Sequence, residues 1–345
     1  MPNALFRCDG GAKVGAGHVM RCTALARALE AEGWRCWFAT SRAAAPLVEG
    51  RRPIVVPDGE AGARAVAEVV AAKRIDCLCV DHYGLGASFE RAARGAARVV
   101  AVLDDLADRR HDCDLLVDSG PLRRASDYAR CGTGSARLLL GPRYALMRPE
   151  VVRSRRARRP RRSGRRGRLL VTLGGADPAG LSGRILGTLP PGEKTGLDTL
   201  LVVGPANRRR RALVRQAAAA GVRCVVAPRD LARWMAAASL AVTAGGVTAS
   251  ELACVGVPMV IVVAAENQRA SARGLVRARA AVALDGTTAA GIRGVGAAVC
   301  RLAKDPLRRR RMAAAGRRLV DGRGAARVAR ALTQLLAARR EDERS

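Results

Sequence analysis

His18 ends the run Arg7-Cys8-Asp9-Gly10-Gly11-Ala12-Lys13-Val14-Gly15-Ala16-Gly17-His18, one of only three histidines in the chain. The run reads as a strand, a glycine loop and the start of a helix. An imidazole there lies beside unpaired N–H groups and the positive end of a helix dipole. Such a place attracts a diphosphate. The same positive end favours the neutral ring, which can accept a proton. The chemistry is therefore that of a general base beside an anionic leaving group. The plainer reading is a βα turn with a histidine cap.

Further polar clusters follow apolar runs. Asp81-His82-Tyr83-Gly84 follows the run 77–80, and Asp104-Asp105 follows 99–103. Asp81 and His82 are adjacent on a strand and point apart, and no Gly-x-Ser-x-Gly or cysteine-nucleophile signature completes a triad. In the second half, Gly174-Gly175-Ala176-Asp177-Pro178 and Gly245-Gly246-Val247-Thr248 are strand–turn–helix junctions. Gly245 and Gly246 let the backbone approach a phosphate. Thr248 can cap the helix or give its hydroxyl to a phosphate oxygen. Glu251, at capping-box spacing from Thr248, is either a cap or a carboxylate for two ribose hydroxyls. No Gly-Lys-Ser/Thr follows, which disfavours an NTPase. Asn267 and Gln268 can bind sugar hydroxyls or acyl groups, or cap the next helix.

These positions need a scaffold of alternating strands and helices. Strands are expected near 5–8, 36–40, 54–56, 77–80, 99–103, 115–117 and 138–140, with helices over 18–32, 60–73 and 87–97. The pattern restarts with strands at 169–173, 200–203, 223–226, 240–243 and 259–263. Helices fit 178–187, 207–220, 230–238, 248–255 and 268–279, and 305–340 reads as helices. Such alternation predicts an α/β chain of two doubly wound parallel-sheet domains, with ligands in a cleft at the carboxyl ends of the strands. The expected boundaries are 1–150, a basic linker at 151–168, and 169–340. The linker's arginines, with Pro160 and Gly164, read as an exposed segment that cannot bury a face.

Composition narrows the function classes. The 345 residues are 49% hydrophobic and carry a net charge of +31, nearly all of it arginine against four lysines. No zinc-finger spacing or aromatic-interleaved basic patch accompanies that charge, so specific nucleic-acid binding is not expected. Ten cysteines without a C-x-x-C pair suit a reducing cytoplasm. Cys77 and Cys79 are expected on opposite sides of a strand. No metal-ligand spacing, cofactor motif or run of transmembrane length occurs. The expectation is a cytoplasmic monomer without membrane insertion, metal or cofactor, acting on an anionic small molecule.

The opening stretch resembles the R-x-D-x(4)-I-G-x-G-H-x-M-R-x(3)-L-A signature of the PseG family. These are UDP-2,4-diacetamido-2,4,6-trideoxy-β-L-altropyranose hydrolases of pseudaminic acid biosynthesis. The segments 80–85, 103–118, 140–150, 173–178 and 244–268 are similar to family segments in the same order. The resemblance implies a GT-B fold like that of MurG-type glycosyltransferases, with UDP held mainly by the C-terminal domain. It implies metal-independent, inverting hydrolysis at the anomeric carbon. His18 matches the catalytic histidine and Tyr83 a tyrosine near the sugar. Gly246, Thr248 and Glu251 match the nucleotide loop. Gly15, Gly17, Arg148, Gly174, Gly245, Asn267 and Gln268 complete the expected substrate and UDP contacts. Val247 departs from the pattern, where the family often has a small hydroxyl residue. A GT-B UDP-sugar glycosyltransferase is the alternative reading, and a nucleic-acid binder resting on charge alone is the third.

Overall fold

Apolar runs shielded on both faces become parallel strands, and the turns between them carry the polar residues. A computed structural model describes residues 1–11, 15–48, 50–57, 59–158, 166–228 and 230–344. The chain divides into two units, Met1–Arg148 with Arg323–Ser345, and Pro149–Gly322. In the first, the elements run β1 (Asn3–Cys8), α1 (Gly17–Glu30), β2 (Arg35–Thr40), β3 (Ile54–Val55), α2 (Gly59–Ala72), β4 (Cys77–Asp81), α3 (Ala87–Arg94), β5 (Val99–Leu103), β6 (Leu115–Asp118) and β7 (Arg137–Leu140). They form one parallel sheet of order β3-β2-β1-β4-β5-β6-β7.

Period-two alternation sorts its side chains. Ala4, Phe6, Cys8, Cys77 and Cys79 enter the core beneath α1, whereas Leu5, Leu78 and Val80 enter the core with Val66 and Phe89. Phe6 stacks on Phe38 with ring centroids 5.1 Å apart. Cys77 and Cys79 therefore share a face, with Sγ atoms 3.7 Å apart. The expectation of opposite sides is wrong because residues two apart on a strand point the same way.

The second unit contains α4 (Pro149–Ala157), β8 (Gly167–Thr172), α5 (Leu181–Leu186), α6 (Gly192–Thr195), β9 (Leu197–Val203), α7 (Arg210–Ala219), β10 (Arg223–Val226), α8 (Leu231–Ala237), β11 (Leu240–Ala244), α9 (Val247–Val255), β12 (Met259–Val263), α10 (Arg269–Arg277), β13 (Ala281–Asp285), α11 (Ala289–Lys304) and α12 (Pro306–Leu319). Its parallel sheet has the order β10-β9-β8-β11-β12-β13. The expected strands are present, and α6, β13 and α11 are additions.

Two expectations about boundaries need correction. Residues 323–340, expected with the second sheet, pack on the first. There α13 (Gly324–Asp342) buries Val328, Leu332 and Leu336 in the core shared with α1. Each such side chain contributes about 1.5–3 kcal/mol. Trp34 Nε1 donates to Thr333 Oγ1 at 3.2 Å, and Arg340 pairs with Asp76 at 2.9 Å.

The basic stretch 151–168 is not simply an exposed linker. Residues up to 157 belong to α4, with Val151 fully buried, and 167–168 open β8; residues 159–165 lie outside the described residues. Arginine achieves this burial by capping helix ends, where carbonyls lack partners. Arg155 donates to Cys254 O, Val320 O and Arg317 O, at 2.7–3.1 Å. Arg158 donates to Met235 O, Ala236 O and Ala238 O. Among the described residues, no helix is long and apolar enough to cross a membrane.

Candidate active site

His18 is the second residue of α1, and the helix brings His18, Arg21 and Cys22 onto one face by its i, i+3, i+4 spacing. That face meets Asp81, the last residue of β4, which is paired in register with Cys8. His18 Nδ1 lies 2.5 Å from Asp81 Oδ1. Arg21 grips both oxygens, Nη2 to Oδ1 and Nε to Oδ2, each at 2.6 Å. Cys22 Sγ donates to Oδ2 at 3.4 Å. Asp81 is fully buried and His18 is 4% exposed, so this is a desolvated cluster.

The charges settle which groups hold protons. Burial by itself would raise the Asp81 pKa, but the charges and hydrogen bonds of Arg21 and His18 outweigh it and hold the carboxyl well below its ordinary range. Arg21 also feels burial, against which Asp81 and Asp105 raise its pKa above the usual value. An ionised Asp81 can only accept, so His18 Nδ1 donates to it, and in the neutral ring the lone pair is then on Nε2. Arg21 Nη2 lies 3.1 Å from Nδ1. A protonated Nδ1 accepts nothing, and the two donors are neighbours because they share Oδ1.

A second layer fixes the clamp. Arg21 Nη1 donates to Asp105 Oδ2 at 2.8 Å, and Tyr83 OH reaches the same oxygen at 3.4 Å. The Tyr83 ring meets the His18 ring edge-on, with centroids 4.4 Å apart. Arg123 donates to Asp105 O at 2.7 Å and pairs with Asp118 at 2.5 Å. The Tyr128 hydroxyl contacts Asp104 at 2.9 Å and Asp118 at 2.8 Å. Burial raises the Asp118 pKa in spite of Arg123, Gly120 N–H and Tyr128. Asp104 resists burial through Arg109, Ala107 N–H and Tyr128, and its pKa falls. The adjacent His82 turns elsewhere, its Nε2 3.4 Å from Asp9.

The fold brings His18, expected from its place after the glycine loop, against Tyr83, expected from the resemblance. Arg21 and Cys22 were not among the expected site residues, and Asp81 and Asp105 were noted only as polar residues at strand ends. The three-residue step from His18 to Arg21 was the available signal. Gly15 does not offer its N–H to a ligand, since that group donates to Gly11 O at 2.7 Å while Gly11 N–H returns to Gly15 O. Gly15 adopts φ +85°, which a side chain would strain. Gly17 is the first residue of α1, whose N-terminus has no side-chain cap. Arg148 is half-buried at the end of the first unit's opening segment.

In the second unit the two glycine turns differ. At Gly174 the following helix is already capped, because the Asp177 carboxylate accepts from Leu181 N and Ser182 N, both at 2.9 Å. Gly174 and Gly175 instead pack on Gly204, where a Cβ would come within 2.4 Å of either carbonyl oxygen. At α9 the N-cap is Gly246 and no side chain caps the helix. Thr248 is the second helical residue, so the capping-box reading of Thr248 and Glu251 does not hold. Glu251 is 2% exposed. Gly245 N–H is engaged by Gln268 Oε1 at 3.1 Å, and Ala264 N–H donates to the same oxygen at 3.0 Å. Gln268 thus ties the β11–α9 turn to the end of β12. Asn267 is exposed on the short 3₁₀ helix Glu266–Gln268. Among the described residues, no group of three or more His, Cys, Asp and Glu side chains is placed to hold a metal ion.

No protein-family model matches the chain. It is 25% identical to the spore coat polysaccharide biosynthesis protein SpsG of Bacillus subtilis over 272 residues, 77% of this chain and 78% of that protein. It is 26% identical over 191 residues to the UDP-2,4-diacetamido-2,4,6-trideoxy-β-L-altropyranose hydrolase of Campylobacter jejuni, 54% of this chain and 65% of that enzyme. Among solved structures it is similar to Acinetobacter baumannii MurG, at 14% identity and TM-score 0.63, covering 97% of this chain and 100% of the other. It is also similar to the spinosyn rhamnosyltransferase SpnG complexed with thymidine diphosphate, at 18% identity and TM-score 0.60, covering 96% and 100%. The chain has the GT-B fold, two parallel-sheet α/β units of seven and six strands.

Proposed function

We propose that this chain is a nucleotide-sugar hydrolase that cleaves a UDP-diacetamido-trideoxyhexose at its anomeric C–O bond, with inversion and without a metal. The observation that carries the reading is the buried His18–Asp81 pair, with Arg21 holding the carboxylate ionised. Support comes from the name of the Campylobacter relative. The uncapped N-terminus of α9, reached through Gly245 and Gly246, suits a diphosphate.

In this mechanism water attacks C1 while His18 Nε2 takes its proton. The C1–oxygen bond to the β-phosphate breaks, and its electron pair leaves with UDP. The imidazolium that forms is stabilised by Asp81, which stays ionised because Arg21 occupies both its oxygens. Tyr83, edge-on to His18, limits the ring's orientation. UDP leaves without a strong acid, so one base suffices. The same base could activate a sugar hydroxyl instead of water, which is the glycosyltransferase reading that neighbours such as SpnG favour.

The test is UDP release with water as the only acceptor, with the product's anomeric configuration followed by NMR. Release from the diacetamido sugar is expected, and His18→Asn should lower kcat by about 10²–10⁴-fold with UDP binding kept. No release without an added acceptor would favour the transferase, and full activity in His18→Asn would remove the base.

A further inference from the structure

Three guanidinium groups converge on one indole in the second unit. The Cζ atoms of Arg168, Arg223 and Arg233 lie 5.5, 5.2 and 5.6 Å from the Trp234 ring centroid. A cation–π contact occurs about once per 70–80 residues, so three on a single ring is a concentration. Arg168 is the second residue of β8 and Arg223 the first of β10, and both point toward α8, which carries Arg233 and Trp234. Arg223 and Arg233 are exposed, and Arg168 and Trp234 are half-buried.

Among the described residues no carboxylate pairs with any of the three. The register partner of Arg168 is Asp198, and Asp198 pairs with Arg166 at 3.8 Å instead. Asp230 caps α8 by accepting from the backbone N–H of Arg233. The cluster lies at the amino end of the sheet. From Arg168 to Gly174 the strand advances about 20 Å, so the cluster is separate from the glycine turns at the carboxyl ends.

A guanidinium stacked on an aromatic face keeps its in-plane N–H fork free, and that fork matches phosphate oxygens. We propose that Arg168, Arg223 and Arg233, arrayed around Trp234, form a docking site for phosphate groups, carried on a lipid headgroup or free in solution. The indole holds the three forks close together despite their like charge, and a phosphate ligand relieves that repulsion.

The test uses Trp234 fluorescence in the full chain, with UDP present to fill any nucleotide site and Trp234→Phe defining the signal. Inorganic pyrophosphate is the free probe; phosphatidylglycerol vesicles, against phosphatidylcholine vesicles, are the lipid probe. Saturable, Trp234-dependent binding of either probe is expected, weakened about tenfold or more in Arg168→Gln/Arg223→Gln. Pyrophosphate binding assigns a free ligand, and vesicle binding alone assigns a headgroup. Arg168→Lys/Arg223→Lys keeps the charge without the fork and should bind several-fold more weakly than the parent. Equal binding by the lysine variant would overturn the site, as would a signal unchanged by the glutamine variant. Single-stranded DNA binding that outcompetes both probes and ignores these substitutions would also overturn it, reducing the cluster to bulk charge.

Discussion

Asp81→Asn tests how the site is wired. In the native chain Oδ1 accepts from His18 Nδ1 and Arg21 Nη2, and Oδ2 accepts from Arg21 Nε and Cys22. An asparagine has one acceptor oxygen, so one amide NH₂ must face an Arg21 N–H. Turned one way, His18 Nδ1 has to accept, the ring proton moves to Nε2 and the base is lost. Turned the other way, Arg21 Nε loses its partner. Losing a hydrogen bond to a charged group costs about 1.5–3 kcal/mol. Arg21 is 13% exposed and Asp81 fully buried, so the loss should approach the ~3–5 kcal/mol of a broken buried pair. Because the native Asp81 pKa is depressed, its contribution is complete above the unfolded carboxyl pKa of about 3.9 and is lost as pH falls through the lower folded value. Urea denaturation from about pH 7 downward should therefore show a large gap between native and variant that narrows below pH ~4. Nitrogen-15 NMR, simple with three histidines, should find the His18 proton on Nδ1 in the native protein. A gap independent of pH, or a native proton on Nε2, refutes the reasoning.

Three further outcomes are expected. Gln268→Ala strands the N–H groups of Gly245 and Ala264 and should cost about 1–3 kcal/mol in thermal or urea unfolding, whereas Gln268→Glu keeps an acceptor and should recover much of it; equal losses would deny the tie between turn and strand. Gly204→Ala drives a Cβ to 2.3 Å from Gly175 O and should destabilise by about 1–3 kcal/mol, with weaker UDP binding by calorimetry if the first glycine turn shifts. Thiol titration without reductant should count ten free cysteines after unfolding. In the native chain Cys36 and Cys254 should alkylate slowly at neutral pH, since burial pushes Cys36 up to about 12 and Cys254 up to about 11.

Much of the fold was legible because strands buried on both faces write uninterrupted apolar runs, as at 77–80, 99–103 and 259–263. β13 escaped because Val282 to Asp285 are only half-buried at the sheet edge, which leaves a weaker apolar signal. The arginines of α4 misled for a different reason. Charge read along the chain implies exposure, yet Arg155 and Arg158 satisfy the carbonyls of helix ends that only folding brings near them. The landing place of α13 was equally hidden, since an Ala-Leu stripe fits either sheet.

For the site, the chain by itself determined that a histidine opens a helix after a glycine loop, and that acidic residues follow the apolar runs of β4 and β5. These are local facts of spacing, and a helix or strand enforces them wherever it packs. Tertiary structure decided the pairing. Asp81 joins His18, 63 residues earlier, and not His82 beside it, because parallel strands bring the start of α1 over the end of β4 while neighbouring residues on a strand diverge. It also decided that Arg21 carries Asp105 into the same cluster, and that Asp177 caps one helix while α9 keeps its N-terminus open. Those choices rest on distances across the sheet, which spacing along a chain does not encode.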